Sequence, residues 1–201
     1  TYFYQEQTPN TLLNNFHSRL VSASMGIIDR IKEGLPKVLT AKIARNKGRV
    51  PRNIEEAKTI GILFDATDID YRKKTLAYAD KLRKQGKKVS TLGFIATADK
   101  EATFSFDFFT LRQIDWAQRP NGEAITHWLE HDLEVFICLF PQSSKFTEYL
   151  ALHTPAGLKI GPVATNPSGY YLRLDMPAKS TPQQFIQQYE QVLAKTVPQP
   201  V

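Results

Sequence analysis

A continuous apolar run near residue 60 constrains the fold more than any other feature of this chain. The run TIGILFDAT, residues 59–67, is rich in β-branched and aliphatic residues without polar alternation, as expected of a strand that helices cover on both faces. The next stretch, DYRKKTLAYADKLRKQG (70–86), has the apolar spacing of an amphipathic helix and ends at a glycine. KKVSTLGFIAT (87–97) predicts a second strand. A right-handed crossover through the helix then makes the two strands parallel.

Strand and helix signals recur along the rest of the chain. Three helical patterns and three apolar strand patterns follow, at residues 121–133, 143–156 and 180–196 and at residues 134–140, 158–164 and 170–176 respectively. Residues 104–120 predict an irregular connection with one short strand, anchored by Trp116. The sequence therefore predicts a doubly wound α/β sheet of about five mostly parallel strands with helices on both faces.

An N-terminal segment, residues 1–54, precedes this α/β domain of residues 55–201. Its apolar spacing and its cations predict a helical, basic arm. Apolar side chains recur on one face of its first helix, at Phe16, Leu20, Ile27 and Ile28. Since the α/β domain has crossover helices for both faces of its sheet, we expect this apolar face to dock on a protein partner or a second copy of the chain.

The net charge of +6 conceals a strong asymmetry along the chain. Residues 30–52 carry eight cations against Glu33 alone, and residues 71–88 carry eight against Asp80 alone. The remaining 160 residues have a net charge of −8. Charge concentrated in this way is typical of a surface that binds nucleic acid or another polyanion.

The arm and the basic helix together predict the residues that contact such a polyanion. Arginines in the arm recur at spacings of four and three, and arginine is the better phosphate ligand. We expect a non-enzymatic accessory protein whose partner is RNA or a ribonucleoprotein, for example the ribosome. An acidic protein or an anionic membrane surface would match the same charge. The predicted contacts are Lys37, Lys42, Arg45, Lys47, Arg49, Arg52, Lys73, Lys74, Lys81 and Lys84.

The carboxyl ends of the predicted strands offer an alternative site. Ligands of doubly wound sheets bind outside these ends, near the point where the strand order reverses. The residues predicted to line such a cleft are Asp65, Thr67, Asp68, Gln142 and Ser143. With this site, the protein would be a small enzyme or a ligand sensor for a nucleotide or phosphosugar, and Asp65 and Asp68 would be metal or hydroxyl ligands.

The sequence predicts no metal site, no cofactor and no catalytic residue. Asp65, Asp68 and Asp70 offer the oxygen ligands that Mg²⁺ prefers, but we expect Asp68 or Asp70 to cap the basic helix instead. His127 and His131 share a helix face, as in some zinc sites, yet no third ligand follows at a matching spacing. No glycine-rich phosphate loop and no nucleophile elbow follows any strand.

Cysteine content and hydropathy bear on the location of the protein. The single Cys138 lies inside the apolar run EVFICLF, so a disulfide framework and a thiolate metal site are both excluded. The stretch LVSASMGII (20–28) is far shorter than the roughly 20 apolar residues of a membrane span. We therefore expect no signal peptide, no transmembrane helix and a cytoplasmic location.

Several of these stretches also carry a family resemblance. The succession KTIGILFDAT, GKKVSTLGFI, FFTLRQIDWAQRP, DLEVFICLF and AGLKIG resembles a domain of unknown function found widely in Bacteroidota, over roughly residues 37–195. The resemblance implies a Rossmann-like fold and a bacterial cytoplasmic protein. It implies no catalytic residue.

Overall fold

A computed structural model describes residues 54–96, 103–164 and 169–196 of the chain. These residues form six strands and four α-helices, and a single 3₁₀ turn follows the third strand. The strands are β1 (Thr59–Asp65), β2 (Lys88–Ile95), β3 (Asp107–Thr110), β4 (Leu133–Leu139), β5 (Ala156–Pro162) and β6 (Leu172–Leu174). The helices are α1 (Ile69–Lys84), α2 (Glu123–Glu130), α3 (Lys145–His153) and α4 (Pro182–Thr196).

All six strands belong to one sheet, in the order β3-β2-β1-β4-β5-β6. Every neighbouring pair is parallel. The prediction of five strands was wrong by one, because the short strand in residues 104–120 joins the sheet as the edge strand β3. It pairs with Leu92–Ile95 of β2 over four residues, and Phe109 is fully buried there.

Helices cover both faces of the sheet, as predicted. Helices α1 and α4 pack on one face, where the buried side chains of Tyr78, Leu82, Phe185 and Tyr189 meet Phe64. The hydroxyl groups of Tyr78 and Tyr189 hydrogen-bond to each other across this interface. A hydroxyl buried among apolar groups needs such a partner, so the pair locks the two helices together.

The other face carries α2 and α3. The indole of Trp128 is 1% exposed and its Nε1 donates a hydrogen bond of 3.0 Å to Oγ1 of Thr154, so α2 is tied to the end of α3. Phe136 of β4 packs against Trp128 and stacks on Tyr170. Cys138 is fully buried in the same cluster, and burial raises the pKa of its thiol to about 12.

Strand β1 is the centre of the fold. It pairs with β2 on one side and with β4 on the other, and the direction in which the chain adds strands reverses between β1 and β4. This reversal is the switch point at which doubly wound sheets bind ligands. Residues at the carboxyl ends of β1 and β4 therefore form the edge at which a ligand is expected.

Gly61 lets Trp128 lie directly on β1. A Cβ atom at this position would come within 2.3 Å of Cδ1 of Leu133 and 2.9 Å of Cη2 of Trp128. Neither contact is compatible with the packing of a buried side chain, so this glycine is required by space rather than by backbone conformation.

We predict that Gly61→Ala lowers the free energy of unfolding by about 1–3 kcal/mol, because the added methyl group overpacks the core. Chemical denaturation measures this loss, and the near-ultraviolet circular dichroism of Trp128 should change with it. Gly86→Ala is the control, because a Cβ there meets nothing within 4 Å and its φ of +82° alone makes alanine unfavourable. A Gly61→Ala protein with wild-type stability and spectrum would contradict this packing.

Candidate functional site

Some of the predicted contact residues lie outside the described residues. These are the cations of the arm, Lys37, Lys42, Arg45, Lys47, Arg49 and Arg52, and the apolar stripe of Phe16, Leu20, Ile27 and Ile28. The other predicted contacts, on α1, lie within the part of the chain that the structure describes.

The exposed face of α1 carries four lysines. Lys73, Lys74, Lys81 and Lys84 are all solvent-exposed, and Ala77 lies exposed between them. At 3.6 residues per turn the four lysines fall within an arc of about 100°, and at 1.5 Å per residue they span about 17 Å of helix. We call these four residues the basic face of α1. The opposite face of the helix, with Thr75, Tyr78, Ala79 and Leu82, is buried against the sheet as the sequence predicted.

Three other cations from residues 71–88 make contacts within the fold. Arg72 donates to the carbonyl oxygen of Ala66 over 3.2 Å, and its guanidinium lies 5.1 Å from the ring centre of Phe104. Arg83 pairs with Asp80 at 2.8 Å and donates to the carbonyl oxygen of Val89. The charge of this segment therefore divides into cations that hold the fold together and cations that face solvent.

Lys87 is the most strongly engaged of these three. Its Nζ donates to three carbonyl oxygens, those of Ile54, Glu55 and Ala57, at 2.7, 2.8 and 3.0 Å. Because an ammonium group has three donors, this arrangement satisfies all of them. Lys87 thereby ties the chain before β1 to the turn between α1 and β2, whereas the neighbouring Lys88 is exposed.

At the carboxyl end of β1, the side chains of the predicted cleft residues accept hydrogen bonds from backbone amides of the chain. Oδ1 of Asp65 accepts a hydrogen bond from the amide of Thr67 at 2.9 Å, and Oγ1 of Thr67 accepts one from the amide of Ala96 at 3.0 Å. Asp68 caps α1, since its Oδ1 accepts from the amide of Tyr71 at 2.7 Å. The capping role that the sequence predicted for this acidic cluster is therefore confirmed for Asp68.

The carboxyl end of β4 shows a similar arrangement. The hydroxyl of Ser143 donates to Oε1 of Glu148 at 3.1 Å. Ser144 caps α3 through a reciprocal pair of hydrogen bonds with Thr147. Gln142 lies exposed at the surface. The polar groups that follow β1 and β4 thus serve mainly to start helices α1 and α3.

Tyr71 connects the two sides of the switch point. Its hydroxyl donates a hydrogen bond of 2.9 Å to the carbonyl oxygen of Leu139, so the first turn of α1 is tied to the last residue of β4. Burial raises the pKa of this phenol well above its ordinary value, and the Cys138 thiol and the Asp65 carboxylate raise it further. The phenol is therefore neutral, and it links α1 to β4 at the switch point.

His127 of α2 and His131, the residue that directly follows α2, lie close together but bind other groups. Their rings are 4.7 Å apart, Nδ1 of His127 lies 3.3 Å from Oδ2 of Asp107, and Nδ1 of His131 donates to the carbonyl oxygen of His127 at 2.9 Å. Within residues 54–96, 103–164 and 169–196, no three His, Cys, Asp or Glu side chains are grouped so that they could hold a metal ion.

The prediction that Trp116 anchors the connection after β3 was wrong. This indole is 92% exposed. The loop is held instead by Asp115, whose carboxylate accepts hydrogen bonds from the amides of Ala117 and Arg119 and from Nε of Arg119, each at 2.8–2.9 Å. The sequence signal for this loop is the aspartate followed by an arginine four residues later.

The model of one protein family matches most of the chain. The model of a family of unknown function, DUF6913, matches residues 32–195 of the chain. This chain belongs to that family. The match spans the whole described sheet and includes all six predicted contact cations of the arm. No curated protein and no solved structure matches the chain.

The length and hydropathy of the described helices bear on whether they could span a membrane. In the described portion of the chain, each helix is too short or too polar to cross a bilayer.

We predict that Lys87→Met lowers the free energy of unfolding by about 1.5–3 kcal/mol, because three carbonyl groups lose a charged hydrogen-bond donor. Urea denaturation measures the loss. Lys88→Met is the matched control, because Lys88 is the adjacent residue, carries the same charge and is exposed, so its replacement should change stability by less than about 0.5 kcal/mol. Equal effects of the two substitutions would contradict a structural role for Lys87.

We predict that Tyr71→Phe lowers the free energy of unfolding by about 1 kcal/mol, because the hydrogen bond to the Leu139 carbonyl is lost while the ring still fills its site. Tyr171→Phe serves as the control, since that phenol is 61% exposed. If Tyr71→Phe leaves the denaturation midpoint unchanged, as Tyr171→Phe should, the hydrogen bond from Tyr71 to Leu139 does not stabilise the fold.

Proposed function

We propose that this protein is a non-enzymatic accessory protein that binds RNA, either free or in a ribonucleoprotein such as the ribosome. The contacts would come from the basic face of α1 and from the cations of the arm. A cytoplasmic location is part of the same proposal, because RNA of this kind is found there.

The observation that carries the proposal is the basic face itself. Lys73, Lys74, Lys81 and Lys84 are presented together on a helix whose opposite face is fixed to the sheet. Cations that serve only the fold have internal partners, as Lys87 and Arg83 do, whereas these four face solvent. Because the backbone of α1 is already fixed, little backbone conformational entropy is lost when these ammonium groups bind a row of phosphates.

The chemistry of lysine suits binding without sequence preference. An ammonium group is a point charge that can donate hydrogen bonds to phosphates from many directions, whereas the guanidinium of arginine binds a phosphate in one fixed geometry. The basic face and the arm together would neutralise on the order of 5 phosphates, which gives affinity that falls steeply with salt. The remainder of the chain is acidic, with a net charge of −8 outside the two basic segments, so it would repel RNA and orient the encounter.

The alternative function, a small enzyme or ligand sensor at the carboxyl ends of the strands, has less support. Asp65, Thr67, Asp68 and Ser143 each hydrogen-bond within the chain, and Tyr71 occupies the switch point. A nucleotide or phosphosugar would have to displace these bonds. A ligand present at 100 times its dissociation constant would stabilise the protein by about 2.7 kcal/mol, so a thermal-shift screen with nucleotides, sugar phosphates and Mg²⁺ tests this alternative directly.

We predict that Lys74→Gln combined with Lys81→Gln weakens RNA binding and lowers the slope of log K against log salt by about 1.4, the value for two lost phosphate contacts on a single strand. Glutamine retains the helix propensity of lysine, so the fold should be unaffected. Fluorescence anisotropy with a labelled oligoribonucleotide at several salt concentrations measures both quantities.

The matched control is Lys145→Gln combined with Lys179→Gln, which removes the same charge from two exposed lysines elsewhere on the surface. This control should retain nearly wild-type affinity. If both double variants lose affinity equally, binding reflects net charge alone and the basic face is not the contact. Absence of RNA binding by the unaltered protein at low salt would refute the proposed function.

A further inference from the structure

The loop after β3 displays a tryptophan for which the fold has no use. Trp116 is 92% exposed, more than any other large apolar side chain in the described portion of the chain, while the second tryptophan, Trp128, is 1% exposed. Tryptophan is rarely left in water, because its large ring contributes most when it is buried. An exposure of this size therefore calls for an explanation outside the fold.

The backbone beneath this ring is firmly held. Besides the three hydrogen bonds to the Asp115 carboxylate, the amide of Asp115 donates to the carbonyl oxygen of Arg119 at 3.0 Å and the amide of Gln118 donates to that of Asp115 at 2.9 Å. Ile114 and Pro120 form an antiparallel bridge at the base of the loop. The hydrogen bond from the Arg119 amide, together with the contacts of its side chain, holds the pKa of the Asp115 carboxyl below its ordinary value, so Asp115 remains ionised at neutral pH.

None of these bonds involves the indole. The loop closes through backbone groups, Asp115 and Arg119, so the Trp116 ring is presented on a pre-organised support. Pre-organisation lowers the entropy that a binding partner must overcome.

The surroundings of the ring are polar and partly cationic. Arg112, Gln118 and Arg119 are exposed, and Asp115 is already paired with Arg119. Leu111, 56% exposed, is the one other large apolar side chain among the exposed residues of this loop, so the loop itself carries no broad apolar patch. A protein interface normally surrounds its central tryptophan with further well-packed apolar contacts. A single aromatic ring beside cations instead fits a nucleobase attached to a phosphate.

The Trp116 loop and the first turn of α1 lie at the same edge of the sheet. Helix α1 leaves the carboxyl end of β1, and the Trp116 loop leaves the carboxyl end of β3, two places away in the same sheet. Two strand spacings amount to about 10 Å. The strand ends are in register, since Asp65 pairs with Phe94 and the next residue of β2, Ile95, pairs with Thr110. Because α1 covers one face of the sheet and Ile114 of the loop packs on the other, a single strand of nucleic acid that contacts both would pass around this edge.

We propose that Trp116 stacks on an unpaired base of single-stranded RNA, while the basic face of α1 contacts the phosphates. This inference rests on the proposed function and narrows it from RNA in general to RNA with exposed bases. Stacking on an indole does not depend on base identity, because every base has a π face, so the contact would select single strands over duplexes without reading sequence.

The fluorescence of Trp116 can be used to detect stacking of its ring on a base. Titration of the full chain with an oligouridylate of about 12 nucleotides, a length within the range covered by one single-strand binding domain, should quench Trp116 emission. Duplex RNA of equal length should bind through its phosphates and leave that emission nearly unchanged. In Trp116→Phe the quenching should disappear, since only the buried Trp128 still emits, while the affinity measured by anisotropy is largely retained.

Trp116→Ala should weaken single-strand binding by roughly 5- to 150-fold, the range that base stacking contributes, and leave duplex binding unchanged. Because the ring makes no contact that the fold needs, this variant should fold normally. Tyr171→Ala is the control, since it removes another exposed aromatic ring, 61% accessible, near the opposite edge of the sheet. It should bind like the unaltered protein.

The outcomes separate this inference from the proposed function. If Trp116→Ala binds oligouridylate as tightly as the unaltered chain while Lys74→Gln with Lys81→Gln binds weakly, the stacking contact is wrong and the proposed function stands. If the unaltered chain binds no RNA at low salt, both are wrong. If the unaltered chain binds oligouridylate while the emission of Trp116 stays unchanged, the indole does not stack on a base and the inference is overturned.

Discussion

Burial of β1 on both faces is the constraint on which the rest of the structure depends. Ile60, Leu63 and Phe64 are fully buried, and the strand is paired along both edges. A strand enclosed in this way needs helices above and below it, so α1 must turn an apolar face to the sheet. The lysines of its sequence are left on the outer face by that requirement. The arrangement of the positive charge thus follows from how the core is covered.

Much of the fold could be predicted from the sequence because hydrophobic periodicity is a local property. The strands β1, β2, β4 and β5 and the four helices lie where the apolar patterns indicate, and the burial of α1 follows from its spacing. The edge strand β3 was less visible, since its four residues are too few for a clear pattern. Its place depends on pairing with β2, which no local pattern contains.

The side-chain roles were harder to predict, because they depend on contacts that are distant in sequence. Lys87 appeared to be one more surface cation, yet its carbonyl partners lie 30–33 residues earlier in the chain. Trp116 was expected to be an anchor because large aromatic residues usually are. Its loop is closed instead by one carboxylate and one arginine, which leave the ring outside. The exposed positions of the lysines on α1 were easier to predict, because the period of a helix is enough to assign them to its outer face.

The buried thiol of Cys138 has a consequence for measurements on this protein. It is the one cysteine of the chain, fully buried, and its raised pKa keeps it protonated, so a thiol reagent in water meets no thiolate in the folded state. Alkylation then has to wait until β4 leaves the centre of the sheet. The rate of labelling at this single atom would therefore measure how often the core opens, without any engineered probe.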